Sequence, residues 1–578
     1  MHHPINWRLL VKDLVLVAIN AKYIHTNLAV RSLKAQLPDF EVDFLEMSIN
    51  DPIHRIIKLL LDQEARRIGF SCYIWNMEIV LKLAEVIKKA RPQVQIIFGG
   101  PEVSFDGLSL LEEHLFCDFI IQGEGEDKLK ALLTNDNLND LSKIPGLCYR
   151  NRSGELIENP DAKPVPLNQL IFPYLNLDMD NLNHKIIYYE TMRGCPFSCS
   201  YCLSSAKQGL NLLCLDRVFA ELDFFILAGV KQVKLVDRTF NCDLGRAKEI
   251  FRHLIDQGGN TNFHFEMTGD LIDDEMIALL NTAPPGLIQL EIGVQSTAPA
   301  TLSAIGRKIS VTRTEEHVTK LLDQHNIHIH LDLIAGLPHE TYGVFKSSFN
   351  RVIALDPDML QLGFLKCLKG TRIRKESEIH DYQYASFPPY EIISNKYISA
   401  AELYQLRQIE VLVDRYFNSG AFKYSLAFVF AARIYSTPFD FFEAFSSYWD
   451  SQGYYDVGKS KEQLFGILLG FFKDHQKSEQ IGEWLKFDFL ARELRLPAGM
   501  SDTSPDKEWI FEFLKDPQNI ETYLGSFINL APKKIYTQVK FQYFSAAFLS
   551  RLTGAALSSE EKPGLMVFSE AGSSIIIQ

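Results

Sequence analysis

Two separate series of short apolar runs, each alternating with helical spacing, constrain this 578-residue chain more than any other feature. Leu14–Ile19 is apolar at every position, as a strand covered on both faces must be. Glu41–Met47, Arg67–Ser71, Val94–Phe98 and Phe119–Gln122 repeat the theme, with Ile79–Lys89 the clearest helical pattern between them. This alternation predicts a doubly wound α/β domain over residues 1–150. A second series runs through Ile186–Glu190, Gln232–Asp237, Asn262–Met267, Leu287–Val294, Ile327–Ile334 and Met359–Phe364, within residues 186–385. Between the two, residues 151–185 carry Asn159-Pro160, Lys163-Pro164-Val165-Pro166 and Phe172-Pro173. Proline this frequent blocks helix and predicts an ordered, extended connector.

Residues 386–578 read as a mostly α-helical domain. Tyr397–Asn418 and Phe422–Arg433 have helical apolar spacing, and Thr437-Pro438 predicts an N-cap with proline at the first helical position. That helix is predicted to run to about Trp449, and a further short helix to span Asp488–Arg495. The dense aromatics Phe439, Phe441, Phe442, Phe445 and Tyr448 read as a helical core rather than a stacking surface for nucleic acid. Ser569–Gln578 carries no signal.

Parallel βα architectures bind ligands beyond the carboxyl ends of their strands. In the second series the first strand delivers Arg193-Gly194-Cys195-Pro196-Phe197-Ser198-Cys199-Ser200-Tyr201-Cys202. Three thiolates spaced C-x3-C-x2-C can wrap an iron–sulfur cluster and leave one iron open to a small bidentate ligand. A structural zinc site is the alternative, but it wants a fourth ligand, and Cys214 stands alone in an apolar stretch. The pattern resembles the signature of the radical S-adenosylmethionine (SAM) superfamily. The resemblance implies a 4Fe-4S cluster on Cys195, Cys199 and Cys202, SAM chelated at the open iron, and its cleavage to a 5′-deoxyadenosyl radical. It also implies a partial (β/α)6 TIM-type barrel.

Carried onto the other strand ends, the same resemblance assigns further SAM contacts. Asp237 replaces the usual Gly-Gly-Glu run as acceptor for the amino group, and Glu266 faces the ribose hydroxyls or methionyl amine. Gln295 and Ser296 match a G-x-Q-S segment, Gly336 and Leu337 flank the adenine, and Tyr201 touches it. Each of these groups reads equally as a buried structural side chain. His328, His330 and Asp332 alternate along one strand and share a face. A polar lining of the barrel is preferred there over a metal trio.

The strand ends of the first series read Asn20-Ala21-Lys22, Ser71-Cys72-Tyr73, Gly99-Gly100-Pro101 and Gly123-Glu124. Glycine at such ends lets a bulky ligand approach the backbone. The set resembles the Rossmann-like cobalamin-binding domain found ahead of radical SAM barrels. That implies cobalamin contacts from Asn20, Ser71, Cys72, Tyr73, Gly99, Gly100, Pro101, Gly123 and Glu124. There is one departure: the D-x-H-x-x-G run that supplies a cobalt-ligating histidine is here Asn20-Ala21-Lys22-Tyr23-Ile24-His25. The cobalt's lower face is then open, or covered from the Tyr73–Asn76 loop. A flavodoxin-like domain without cobalamin is the alternative. Methylthiotransferases hold a second cluster on three N-terminal cysteines, but Cys72, Cys117 and Cys148 are not expected to gather on one face.

The resemblance predicts a cobalamin-dependent C-methyltransferase acting on an unactivated carbon. Alternatives are a radical rearrangement or cyclisation with the same cofactors, and a cobalamin or redox sensor without turnover. Such an enzyme needs a low-potential electron donor of the flavodoxin or ferredoxin kind. The formal charge of −13 disfavours broad contact with nucleic acid, leaving a metabolite, lipid-like molecule or peptide as substrate. Met1-His2-His3-Pro4 has no secretory pattern, and no apolar run reaches the ~18 residues of a membrane span. Nine irregularly spaced cysteines are no disulfide framework, so the reduced cytosol is the expected compartment.

Overall fold

The computed structural model describes residues 11–135, 140–175, 182, 184–206, 209–497, 499–554, 563–569 and 572–576. The first four residues, and parts of the C-terminal tail, lie outside that set. Chain contacts divide the molecule into two compact units, one of residues 1–357 and 362–403, the other of 358–361 and 404–578.

The first unit begins with a seven-stranded sheet. Its strands are β1 (Leu14–Asn20), β2 (Val42–Ser48), β3 (Arg67–Ser71), β4 (Gln95–Gly99), β5 (Phe119–Ile121), β6 (Leu147–Arg150) and β7 (Leu156–Glu158), in the order β2-β1-β3-β4-β5-β6-β7. The first five run parallel, and the last two fold back antiparallel. Alternation along β1 supplies two cores at once. Val15, Val17 and Ile19 pack under helices Ile53–Leu61, Met77–Ala90 and Gly107–Glu113, while Leu14, Leu16 and Ala18 face helices Leu28–Ala35 and Glu126–Thr134.

Two expectations change here. The segment around Cys148 does not lead away from the sheet, because the Asn151–Gly154 turn folds it into a hairpin against β5. The Asn151 side chain closes that turn by accepting from Ser153 N at 3.0 Å and Glu155 N at 2.9 Å. As a result Cys72, Cys117 and Cys148 all lie in one apolar layer.

The second sheet carries β8 (Ile186–Tyr189), β9 (Gln232–Leu235), β10 (Asn262–Met267), β11 (Ile288–Gln295), β12 (His328–Ala335) and β13 (Met359–Phe364), in sequential order. The registers from β8 through β12 are parallel. This is the open, six-stranded half of a barrel, with helices between the strands. The two sheets are tied edge to edge by the loop after β1: Ile186 N donates to Ile24 O at 2.7 Å, and Thr26 N to Ile186 O at 3.2 Å. Both sets of strand ends that carry the predicted sites therefore belong to one compact unit.

The second unit is mostly helical, with helices that include Lys423–Ala431, Pro438–Ser451, Lys461–Phe471 and Ser478–Leu490. Thr437 caps its helix as the sequence predicts, accepting from Asp440 N. Phe439, Phe441, Phe442, Phe445 and Trp449 are fully buried, so the aromatics do form a core. Asp488 lies inside the Ser478–Leu490 helix instead of starting one, and accepts from Ser425 N at 2.7 Å and Tyr424 N at 3.1 Å. The unit closes with an antiparallel sheet of β14 (Val539–Phe544), β15 (Gly564–Ser569) and β16 (Gly572–Ile576). No sequence pattern had marked that sheet.

Gly100, just past β4, has φ +118°, and a Cβ there would lie 2.5 Å from the carbonyl oxygen of Cys72. Neighbouring Gly99 has room, with Ile121 O at 3.7 Å. Gly100→Ala is expected to cost roughly 2–3 kcal/mol in denaturant unfolding of the cofactor-free chain, and Gly99→Ala under ~1 kcal/mol.

Candidate functional site

The cysteine loop leaves β8 under close control. Asp237, past the end of β9, is fully buried and accepts from Thr191 N at 2.8 Å, Met192 N at 3.1 Å and Thr191 Oγ1 at 2.5 Å. Burial pushes its carboxyl up to about 7. This contradicts the expectation that Asp237 accepts the amino group of SAM, because both oxygens are committed to the turn that starts the loop. Gly194 has φ +95°, and any Cβ there would collide with the carbonyl oxygen of Gly209. Further on, Ser200 N donates to Ile305 O at 2.8 Å, and Ser200 O accepts from Ile373 N at 2.9 Å.

The loop's backbone is thus pinned from both sides. Cys199 is buried, and Cys195 and Cys202 are partly exposed. Cys195 Sγ lies 3.4 Å from Thr239 Oγ1, and Arg307 Nη1 points at Cys199 Sγ from 3.8 Å. Burial pushes the Tyr201 phenol up, with Arg307 pulling the other way and the Cys199 and Cys202 thiols adding to the rise. Among the described residues no group of three or more His, Cys, Asp and Glu side chains converges as ligands of one ion. A cubane cluster asks for something else, three thiolates each reaching a different iron, and a cation beside one of them favours the thiolate. The short loop supplies the three thiols, and Arg307 stands beside one of them.

The other predicted SAM contacts divide. Glu266 lines the barrel, with burial pushing its carboxyl up and Lys234 Nζ 3.8 Å away. Gln295 follows a register shift in β11 and takes φ 70°, a bulge that folds its side chain back over Gly293. Ser296, by contrast, is fully buried and donates to Glu340 Oε1 at 2.5 Å, so its hydroxyl serves the fold and not a ligand. Gly336 has φ +88° and gives its carbonyl to Asn395 Nδ2 at 2.9 Å, and Leu337 is buried beside it. The strand-five row continues around the barrel. His330 Nε2 lies 3.0 Å from Asp332 Oδ1, His264 Nε2 3.0 Å from Glu291 Oε2, and Lys234 Nζ 2.9 Å from the same carboxylate.

At the first sheet, Asn20 is buried and donates to His25 O at 2.8 Å. His25 Nδ1 meets Tyr188 OH at 2.9 Å, and burial lowers its pKa, so it is tied to the barrel. Ser71 is buried and its carbonyl accepts from Asn76 Nδ2 at 2.9 Å. Tyr73 and Trp75 stack at 4.3 Å, and Trp75 remains 42% exposed at the strand ends. Pro101 starts the short turn after Gly100, and Gly123 donates its N–H to Ser104 Oγ at 3.1 Å.

Two predicted cobalamin contacts do not hold. Cys72 is fully buried in the apolar core, donating to Phe70 O at 3.5 Å, and burial pushes its thiol up. Glu124 is taken by Arg193, at 3.0 Å. Sequence reasoning also missed Arg193 and Arg307. Arg193 stood inside the quoted motif, whereas Arg307 has no local signal, being 108 positions from Cys199.

Comparison with known proteins matches both regions to family models. Residues 14–133 match the model of the B12 binding domain, residues 189–352 that of the radical SAM superfamily, and residues 378–568 a protein domain of unknown function, DUF4080. The chain thus carries a B12-binding domain and a radical SAM domain, whose cofactors are cobalamin, a 4Fe-4S cluster and SAM. It is similar to the cobalamin-dependent radical SAM methyltransferase TokK of Streptomyces tokunonensis, at 27% identity over 56% of this chain and 50% of that protein. The chain spans about half the length of the curated relatives it matches. The fold is also that of the radical SAM methyltransferase TsrM from Kitasatospora setae, at TM-score 0.54 and 19% identity over 66% of this chain and 79% of that one. The cobalamin-dependent radical enzyme OxsB shares it too, at TM-score 0.56 and 15% identity over 82% of this chain and 78% of that one.

Burial pushes the Glu340 carboxyl from the ordinary 4.5 up to about 8. The native state therefore holds a proton that the unfolded chain releases, and stability falls as pH rises from ~4.5 towards ~8. Unfolding in denaturant at pH 6 and pH 9 checks this. Wild type is expected to lose roughly 2–3 kcal/mol more than Glu340→Gln between the two.

Proposed function

We propose that this chain is a cobalamin-dependent radical SAM enzyme that replaces a C–H bond of an unactivated carbon with C–CH3. The observation that carries the reading is the joining of two cofactor-type sites in one unit. The cysteine loop at the end of β8 and the strand ends of the first sheet, Gly-rich at β4 and β5, are tied through the 22–27 loop and through Arg193. When bound, the cluster and SAM supply a 5′-deoxyadenosyl radical, and cobalamin supplies the methyl group.

The residues of this chain have separate tasks in that scheme. Cys195, Cys199 and Cys202 would hold the cluster, with Arg307 offsetting the negative charge of Cys199. Tyr201, Glu266, Gln295 and the Gly336-Leu337 backbone would line SAM. Asn20, Ser71, Tyr73, Gly99, Gly100, Pro101 and Gly123 would line cobalamin, with the partly exposed Tyr73–Trp75 stack offering it an aromatic surface. Asp237 and Ser296 position loops, and Lys234, His264, Glu291, His330 and Asp332 make the barrel floor polar. A low-potential ferredoxin or flavodoxin would supply electrons. The similarity to a named cobalamin-dependent radical SAM methyltransferase supports methyl transfer over rearrangement. No helix among the described residues is long and apolar enough to cross a membrane.

Anaerobic reconstitution with iron, sulfide and hydroxocobalamin, then reduction with SAM, tests the reading. Stoichiometric corrin by absorbance and both 5′-deoxyadenosine and S-adenosylhomocysteine by chromatography are expected. Cys199→Ala is expected to lose iron and 5′-deoxyadenosine while still binding corrin. 5′-Deoxyadenosine without S-adenosylhomocysteine would remove the methyl transfer, and neither product from the loaded protein would sink the enzyme reading.

A further inference from the structure

We propose that Arg193 is a positioning residue, held by Glu124 and Glu126 of the B12-binding domain so that the turn opening the cluster loop keeps its shape. The proposal rests on the reading that the 195–202 loop holds a cluster. Three carboxylates surround one guanidinium. Glu190 takes Nε at 3.1 Å and Nη2 at 2.6 Å, Glu126 takes Nη2 at 2.6 Å, and Glu124 takes Nη1 at 3.0 Å. The Arg193 side chain is 17% exposed and that of Glu126 only 6%. Burial raises the Glu126 pKa, but Arg193 outweighs it, and the carboxyl sits below its ordinary range. Ser32 Oγ adds a contact to Glu126 at 3.3 Å.

Each feature of this arrangement has a consequence. Glu124 and Glu126 belong to the Gly-Glu-Gly-Glu run after β5, where Glu126 opens the helix Glu126–Thr134, so they move with the first sheet. Arg193 is two residues from Cys195, and the intervening Gly194 is wedged against Gly209. Glu190 lies at the end of β8, so one planar fork bridges a barrel strand end and the loop of another domain. Lysine cannot reproduce that fork, since its ammonium is a point charge without paired parallel donors. Stripping one carboxylate leaves the guanidinium less compensated and the loop less fixed. Three carboxylates against one guanidinium also leave surplus negative charge beside the cluster loop, which opposes adding an electron to a cluster there.

Hydrogen exchange of residues 192–202 in the cofactor-free full chain, and the midpoint potential of the reconstituted cluster, test the proposal together. Exchange in Glu126→Gln and Arg193→Lys is expected to quicken roughly tenfold in that loop, with the helix Met77–Ala90 unchanged. The cluster potential of Glu126→Gln and Glu124→Gln is expected to move positive. Asp118→Asn, which breaks the 2.7 Å pair with Lys88 elsewhere in the first sheet, serves as control and is expected to leave loop and potential alone. Wild-type exchange in Arg193→Lys, loosening spread through the whole chain, or an unmoved potential in both glutamine variants would overturn the proposal. A wild-type chain that never loads a cluster would instead defeat the functional reading, while the exchange data still decide the clamp.

Discussion

A guanidinium carried out of water persists only where carboxylates meet it in good geometry, and Arg193 meets three. That one constraint ties the end of β8, the loop after β5 and the start of the cysteine loop. The rest of the site is arranged around it. Behind the turn, Asp237 gathers three donors; ahead of it, Gly194 permits a backbone approach that no other residue allows.

The same economy recurs at three buried carboxyls. Asp237, Glu340 and Asp488 each take hydrogen bonds from loop or helix-start groups, and burial raises all three. An unmet buried donor costs about 1–3 kcal/mol, so these side chains stabilise mainly by leaving no orphan groups at the turns. Their placement also sorts the polar residues of the barrel. Those at the back of the strand ends are structural, whereas Lys234, Glu291 and His264 pair with one another inside the barrel.

The strands were legible because period-two and all-apolar runs follow directly from burial on one or two faces. The six barrel strands and the five parallel strands of the first sheet fall within a residue or two of their predicted places. The closing sheet of residues 539–576 was not legible. Its strands pair antiparallel with one another and stand outside any βα alternation, which is the pattern that marked the others. Site residues followed the same division. The cysteines announce themselves by spacing, but Asp237, Ser296, Cys72 and Glu124 sit at the right strand ends and turn to other work.

Sequence by itself determined the succession of βα units, the cysteine loop at the end of β8 and the glycine-rich ends of β4 and β5, because each is a local pattern of burial, spacing or backbone freedom. Only tertiary structure decided which carboxylates face a ligand and which face a backbone amide or an arginine. The direction of a side chain past a strand end depends on what another segment leaves unpaired there. For Glu124 that segment is 69 residues away along the chain.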